Sequence, residues 1–98
     1  MKIKAIFSKT GDMRFISHLD LMRLFQRALR RARLPVTITQ GFSPHLKISI
    51  LRALKLGMES NKEELVVNMS KNIPLDTIMG SLNNSLPNGI RVIEIKEF

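Results

Sequence analysis

Ser17-His18-Leu19-Asp20-Leu21-Met22-Arg23-Leu24-Phe25-Gln26-Arg27-Ala28-Leu29-Arg30-Arg31-Ala32-Arg33, followed by Leu34-Pro35, is the stretch on which the fold turns. Ser17 fits a helix N-cap, and Asp20, three residues on, a short capping box. Asp20 also places negative charge in the first turn, where the helix dipole favours it. Proline disfavours helical angles in the residue before it, so the helix is expected to run to about Arg33 and stop ahead of Pro35. At 100° per residue, Leu21, Leu24, Phe25, Ala28, Leu29 and Ala32 form one apolar stripe, while Arg23, Arg27, Arg30 and Arg31 gather on the opposite side with Asp20.

Upstream, residues 2–7 alternate. Ile3, Ala5 and Phe7 share one side, with Lys2, Lys4 and Ile6 on the other, which marks a half-buried strand followed by a polar turn at Ser8–Asp12. Downstream, Val36, Ile38 and Gln40 alternate with Thr37 and Thr39 as a β-branched strand. Gly41-Phe42-Ser43-Pro44-His45 interrupts it, and Lys47–Leu51 reads as extended again. Residues 36–51 therefore read either as one strand with a broken middle or as a hairpin with a five-residue loop. Leu65, Val67 and Met69 alternate with Val66 and Asn68 as the next strand. Pro74 opens a second helix carrying Leu75, Ile78, Met79, Leu82 and Leu86, weakened by Gly80 and closed by Pro87-Asn88-Gly89. Residues 90–98 form the last strand, in which Val92 and Ile93 break the alternation once.

The order β-α-β-β-α-β implies an α+β, ferredoxin-like sandwich: an antiparallel sheet with two helices on one face, the first strand and that at 65–69 central and the last at an edge. The open sheet face or the loop rim is then free for binding. A fold of this kind hosts many functions and chooses none.

The chain has 98 residues, 44% of them hydrophobic, which suits one domain over residues 1–98 and is too many for a disordered basic tail. It has no cysteine, which excludes disulfides, a cysteine-bound iron–sulfur cluster and a cysteine nucleophile, and fits a reducing cytoplasm. No apolar run is long enough to span a membrane, and the N-terminus is too short and too alternating for a signal peptide. The 16 Lys and Arg outnumber the 8 Asp and Glu, for a formal charge of +8. Residues 1–56 hold 12 basic and 2 acidic side chains, whereas residues 57–98 hold 4 basic and 6 acidic. An excess confined to one part of a chain points to a polyanion, nucleic acid being the commonest.

Three features are candidates for chemistry. Arg23, Arg27, Arg30 and Arg31 recur at helical spacing, so their guanidinium forks form a row suited to phosphate oxygens, or else a solvated helix face. In the loop, an exposed Phe42 would stack on an unpaired base beside His45 and Lys47; the plainer reading tucks Phe42 onto the core. His18, in the first helical turn, reads as a capping or packing residue. His18 and His45 are weak candidates for acid–base catalysis. Two histidines with Asp12 or Asp20 fall short of the three or four ligands a zinc site wants, so neither a metal nor a cofactor is expected. The strand Glu64–Met69 has no aromatics, which excludes an RNA-recognition-motif platform. No GxxxxGK[ST], GxGxxG, GxSxG or HExxH motif is present.

The segment Phe7–Arg23, continued by Arg27–Ala32 and Leu34-Pro35, resembles the start of a bacterial radical-SAM-linked domain family of unknown function. Gly41-Phe42-Ser43-Pro44-His45 with Lys47, and Leu56-Gly57-Met58-Glu59-Ser60, are similar to its second and third hallmarks. The resemblance implies a domain encoded beside, or fused to, a B12-binding-type radical SAM protein, in gene neighbourhoods that also hold an E/G-type ribonuclease and ribosomal proteins. A more distant likeness is to the ferredoxin-like CRISPR repeat-processing endoribonucleases, which bind RNA through a basic face. Leu46 stands where the family tends to have a second proline, and Arg52-Ala53-Leu54 replaces a proline-rich stretch. Family members are usually longer, so the chain is expected to be a short version or part of a longer protein. The leading expectation is an RNA-binding accessory module without catalysis. The alternatives are a protein-interaction module docking a radical SAM enzyme or ribosome-related partner through its basic face or the strand at 90–98, and a metal-independent endoribonuclease.

Overall fold

The computed structural model describes residues 1–51, 57 and 59–98. Residues 52–56 and 58, which include Arg52-Ala53-Leu54 and part of the third family-like segment, lie outside the described residues.

Four strands, β1 (Lys2–Lys9), β2 (Ile48–Ile50), β3 (Ser60–Asn68) and β4 (Ile90–Glu97), form one antiparallel sheet in the order β2-β3-β1-β4. Two helices, α1 (His18–Arg31) and α2 (Leu75–Asn84), cover one face. This is the expected α+β, ferredoxin-like sandwich, with β1 and β3 central and β4 at an edge. Alternation explains the layering. Ile3, Ala5 and Phe7 of β1, with Leu65 and Val67 of β3, point to the helices and are buried. They meet Leu21, Leu24, Phe25, Ala28 and Leu29 of α1 and Ile78 and Leu82 of α2 in one core. Phe7 and Phe25 pack edge to face with ring centres 4.9 Å apart, joining the first strand to the first helix.

Three local expectations shift. β1 runs to Lys9, whose side chain is buried, so the turn begins later, and residues Gly11–Phe15 wind into a short 3-10 helix. The strand expected at 36–40 reduces to two isolated bridges, Val36 with Met69 and Ile38 with Leu46. Its β-branched residues find little ladder to join, because the chain folds back on itself there: Lys47 N–H donates to Thr37 O at 2.7 Å and Thr39 N–H to His45 O at 2.8 Å. Residues 36–51 are thus a narrow hairpin whose second arm continues into β2. The third refinement is in β4. The register slips between Ile6↔Glu94 and Phe7↔Val92, so the adjacent Val92 and Ile93 mark a β-bulge.

The segments that carry the family likeness also meet in space. Gly11 N–H donates to Glu59 Oε2 at 2.9 Å, and Gly57 N–H to Arg14 O at 2.6 Å. Gly89, at φ +96°, lets β4 start against the 3-10 turn; a Cβ there would stand 2.7 Å from Thr10 O.

Candidate nucleic-acid interface

The first helix is fixed at its start by Ser17, whose Oγ accepts a hydrogen bond from Asp20 N–H at 3.1 Å. The Asp20 carboxylate turns instead to Arg23, 3.6 Å away, and both side chains are exposed, so the pair is worth little. Arg27, Arg30 and Arg31 have no ion-pair partner among the described residues. The arginine arc is therefore open to an external anion. The helix buries one stripe and exposes this arc, as its spacing requires.

The arc is flanked by two depressions. On one side a groove of about 640 Å³ runs between α1 and the loop, lined by Leu19, Met22, Arg23, Gln26 and Arg30 and walled by Ser43 and His45. On the other, a cleft of about 430 Å³ lies between α1 and the end of α2, with Arg27 and Arg31 at its rim and Met13, Leu24 and Leu86 among its lining. Thus Arg23, Arg30 and His45 share one groove, while Arg27 and Arg31 border the other.

Gln26 holds the loop in place. Its Nε2–H donates to Leu46 O at 2.8 Å, and Leu46 N–H donates to its Oε1 at 3.0 Å. Gly41, at φ +136°, turns the chain ahead of Phe42, and Phe42 is fully exposed at the loop tip rather than tucked onto the core. The His45 ring is oriented: its Nδ1 lies 2.9 Å from Ser43 O, and His45 N–H donates to Thr39 Oγ1 at 3.2 Å. Nδ1 also lies 3.4 Å from Thr39 Oγ1, so both of these contacts engage Nδ1 and Nε2 is the ring atom left for a ligand.

The remaining candidates lie elsewhere. Leu46, Ile48 and Ile50 face the helices, so the pleat sends Lys47 and Ser49 to the opposite, open side of the sheet. Lys47 therefore does not share a surface with the arginine arc. His18 is exposed at the first residue of α1 and is not among the groove residues. Among the described residues no cluster of three or more His, Asp or Glu is placed to hold a metal ion. No helix among them is long and apolar enough to cross a membrane.

Gln26, Leu19 and Met22 are members of the groove that motif reading passes over. A signal for them exists in the helical repeat. Leu19, Met22, Gln26 and Arg30 follow one another at intervals of three and four, on the side away from Ala28. Two apolar residues outside the buried stripe mark a surface that is not wholly solvated.

No curated protein matches this chain. The model of a family described as an uncharacterised protein conserved in bacteria (DUF2344) matches residues 2–98, and the chain belongs to that family.

Proposed function

We propose that this domain binds RNA through the arginine arc of α1 and the adjoining Gly41–His45 loop, and acts as an accessory module rather than an enzyme. The observation that carries this reading is the set of exposed arginines Arg27, Arg30 and Arg31, unpaired among the described residues, beside a groove walled by an oriented histidine. Guanidinium groups match phosphate oxygens in pairs of hydrogen bonds and stay charged at every relevant pH. Arg23 completes the arc, and Asp20 is a weak, displaceable competitor for it. The exposed Phe42 offers a stacking surface at the tip of the same loop. Lys47, on the other side of the sheet, is not part of this interface.

The partner implied by the sequence likeness is a radical SAM protein, to which the module would present an RNA or an RNA-bound substrate. A protein-interaction role is favoured by one observation of its own, the cleft between α1 and α2 with arginines at its rim, which suits an acidic partner. A stoichiometric partner that survives nuclease treatment would favour that role over RNA binding. The endoribonuclease reading has less behind it. Among the described residues, and apart from arginines, no second acid–base group lines the groove beside His45.

Binding of a labelled RNA, followed by fluorescence anisotropy across a salt series, tests the main proposal. A single strand that meets all four arginines should give a log–log salt slope of about −2.8. No RNA affinity at low salt would sink it.

A further inference from the structure

The groove between α1 and the loop has a floor that phosphate binding does not explain. Leu19 is 58% exposed, and Met22 beside it is half-buried, although both belong to the side of α1 that otherwise carries charge. A helix face that only tracked a phosphate backbone would have no use for apolar side chains there. Above this floor stand Arg23 and Arg30 on one wall and Ser43 and His45 on the other. The volume, about 640 Å³, lies in the range of small-ligand pockets. The far wall is also held in place, since Gln26 grips both backbone groups of Leu46 directly behind His45.

We infer that this groove takes one unpaired nucleotide of the bound RNA. The base lies flat against Leu19 and Met22, and the flanking phosphates meet Arg23 and Arg30. Those two arginines are seven residues apart, about 10.5 Å along the helix, so they bracket a nucleotide rather than converge on one oxygen. The His45 ring, with Nδ1 committed to Ser43 O, offers Nε2 as the group that reads the base edge or meets a phosphate. Base faces are available only where the strand is unpaired, because in a duplex they are stacked on one another. The inference rests on the RNA-binding reading and adds that the site selects single strands.

The test compares one labelled 12-nucleotide RNA, single-stranded and annealed to its complement, by anisotropy at one fixed salt concentration. Covering about 55 Å² of apolar Leu19 and Met22 surface with a base is worth about tenfold in affinity, so the single strand should bind about tenfold more tightly than the duplex. Leu19→Ala, at an exposed position, should abolish most of that preference and leave duplex binding unchanged. Arg27→Ala should weaken both forms alike. Equal binding of the two forms by the native protein would overturn the inference while leaving RNA binding intact. So would a preference for the single strand that Leu19→Ala does not alter. If neither form binds, the RNA-binding reading itself falls.

Discussion

Arg33 occupies a conformation that favours glycine. Its φ is +56°, the only positive φ at a non-glycine among the described residues. It sits two residues past the end of α1, just beyond the C-cap Ala32, where Leu34 N–H donates to Leu29 O at 3.3 Å and Arg33 N–H to Arg30 O at 3.0 Å. This is the Schellman arrangement that closes a helix, and it calls for a left-handed residue at that point. A side chain with a Cβ pays about 1 kcal/mol or more for it. Arg33→Gly should therefore stabilise the domain by about 1 kcal/mol, raising the melting temperature by about 4–8 °C in a circular-dichroism melt. Arg33→Val should lower it, because a β-branched residue suits the left-handed region least. An unchanged melting temperature in Arg33→Gly would mean that the capping geometry is not held in solution. Pro35 signalled where the helix stops. It did not signal how, because the usual mark of this cap is a glycine and here the chain uses arginine.

At the scale of elements, one device occurs twice. Each helix sends a side-chain carboxamide to grip both backbone groups of a residue at the border of the sheet. Gln26 of α1 holds Leu46, just before β2. Asn83 of α2 holds Val92 of β4, with Nδ2–H donating to Val92 O at 2.9 Å and Val92 N–H donating to Oδ1 at 2.8 Å. Leu46 and Val92 are both buried, so these groups would otherwise lack partners away from water. Gln26→Ala and Asn83→Ala should each cost about 1–3 kcal/mol in chemical denaturation, the usual penalty for stranding buried backbone groups. Only Gln26→Ala should also weaken RNA binding, since only that clamp positions His45. Equal losses of affinity in the two variants would place the effect in general stability instead. The helices, β1, the Glu64–Asn68 half of β3 and the bulge at Val92-Ile93 are legible, because each rests on local periodicity; the polar run Ser60–Lys62 that begins β3 has no apolar alternation and reads instead as the end of a loop over residues 52–62. The local pattern leaves strand and hairpin both open at 36–51, and the β-branched residues at 36–40 imply more strand than the two isolated bridges that form there. The course of the hairpin depends on Gln26, whose partner lies 20 residues away, and no local pattern carries a contact of that range. The same distance hid the groove. Arg23, Arg30 and His45 were each legible as candidates, but their convergence is a product of the clamp.

Across the whole molecule, exposed positive charge among the described residues lies on both layers. The arginine arc lies on the helical layer. The open side of the sheet carries Lys2, Lys4, Lys47 and Lys96, but part of its charge is occupied: Lys4 lies 3.6 Å from Glu64 and Lys96 3.8 Å from Glu94, while Lys2 and Lys4 also cover the Phe98 ring. Exposed pairs contribute little to stability, yet each carboxylate must be displaced or tolerated before a phosphate gains full attraction. Arg27, Arg30 and Arg31 face no such competition among the described residues. A polyanion should therefore settle on the helical layer, and the salt dependence of binding should report which cations it touches. Each phosphate contact on a single strand contributes about 0.7 to the log–log slope. The double substitution Arg27→Ala with Arg31→Ala should reduce the slope by about 1.4, and Lys47→Ala should leave it unchanged. The two substitutions draw on the same net charge but on opposite faces. A slope that falls equally per charge removed would show that the RNA responds to the total charge of the domain, and would remove the case for a defined interface on α1.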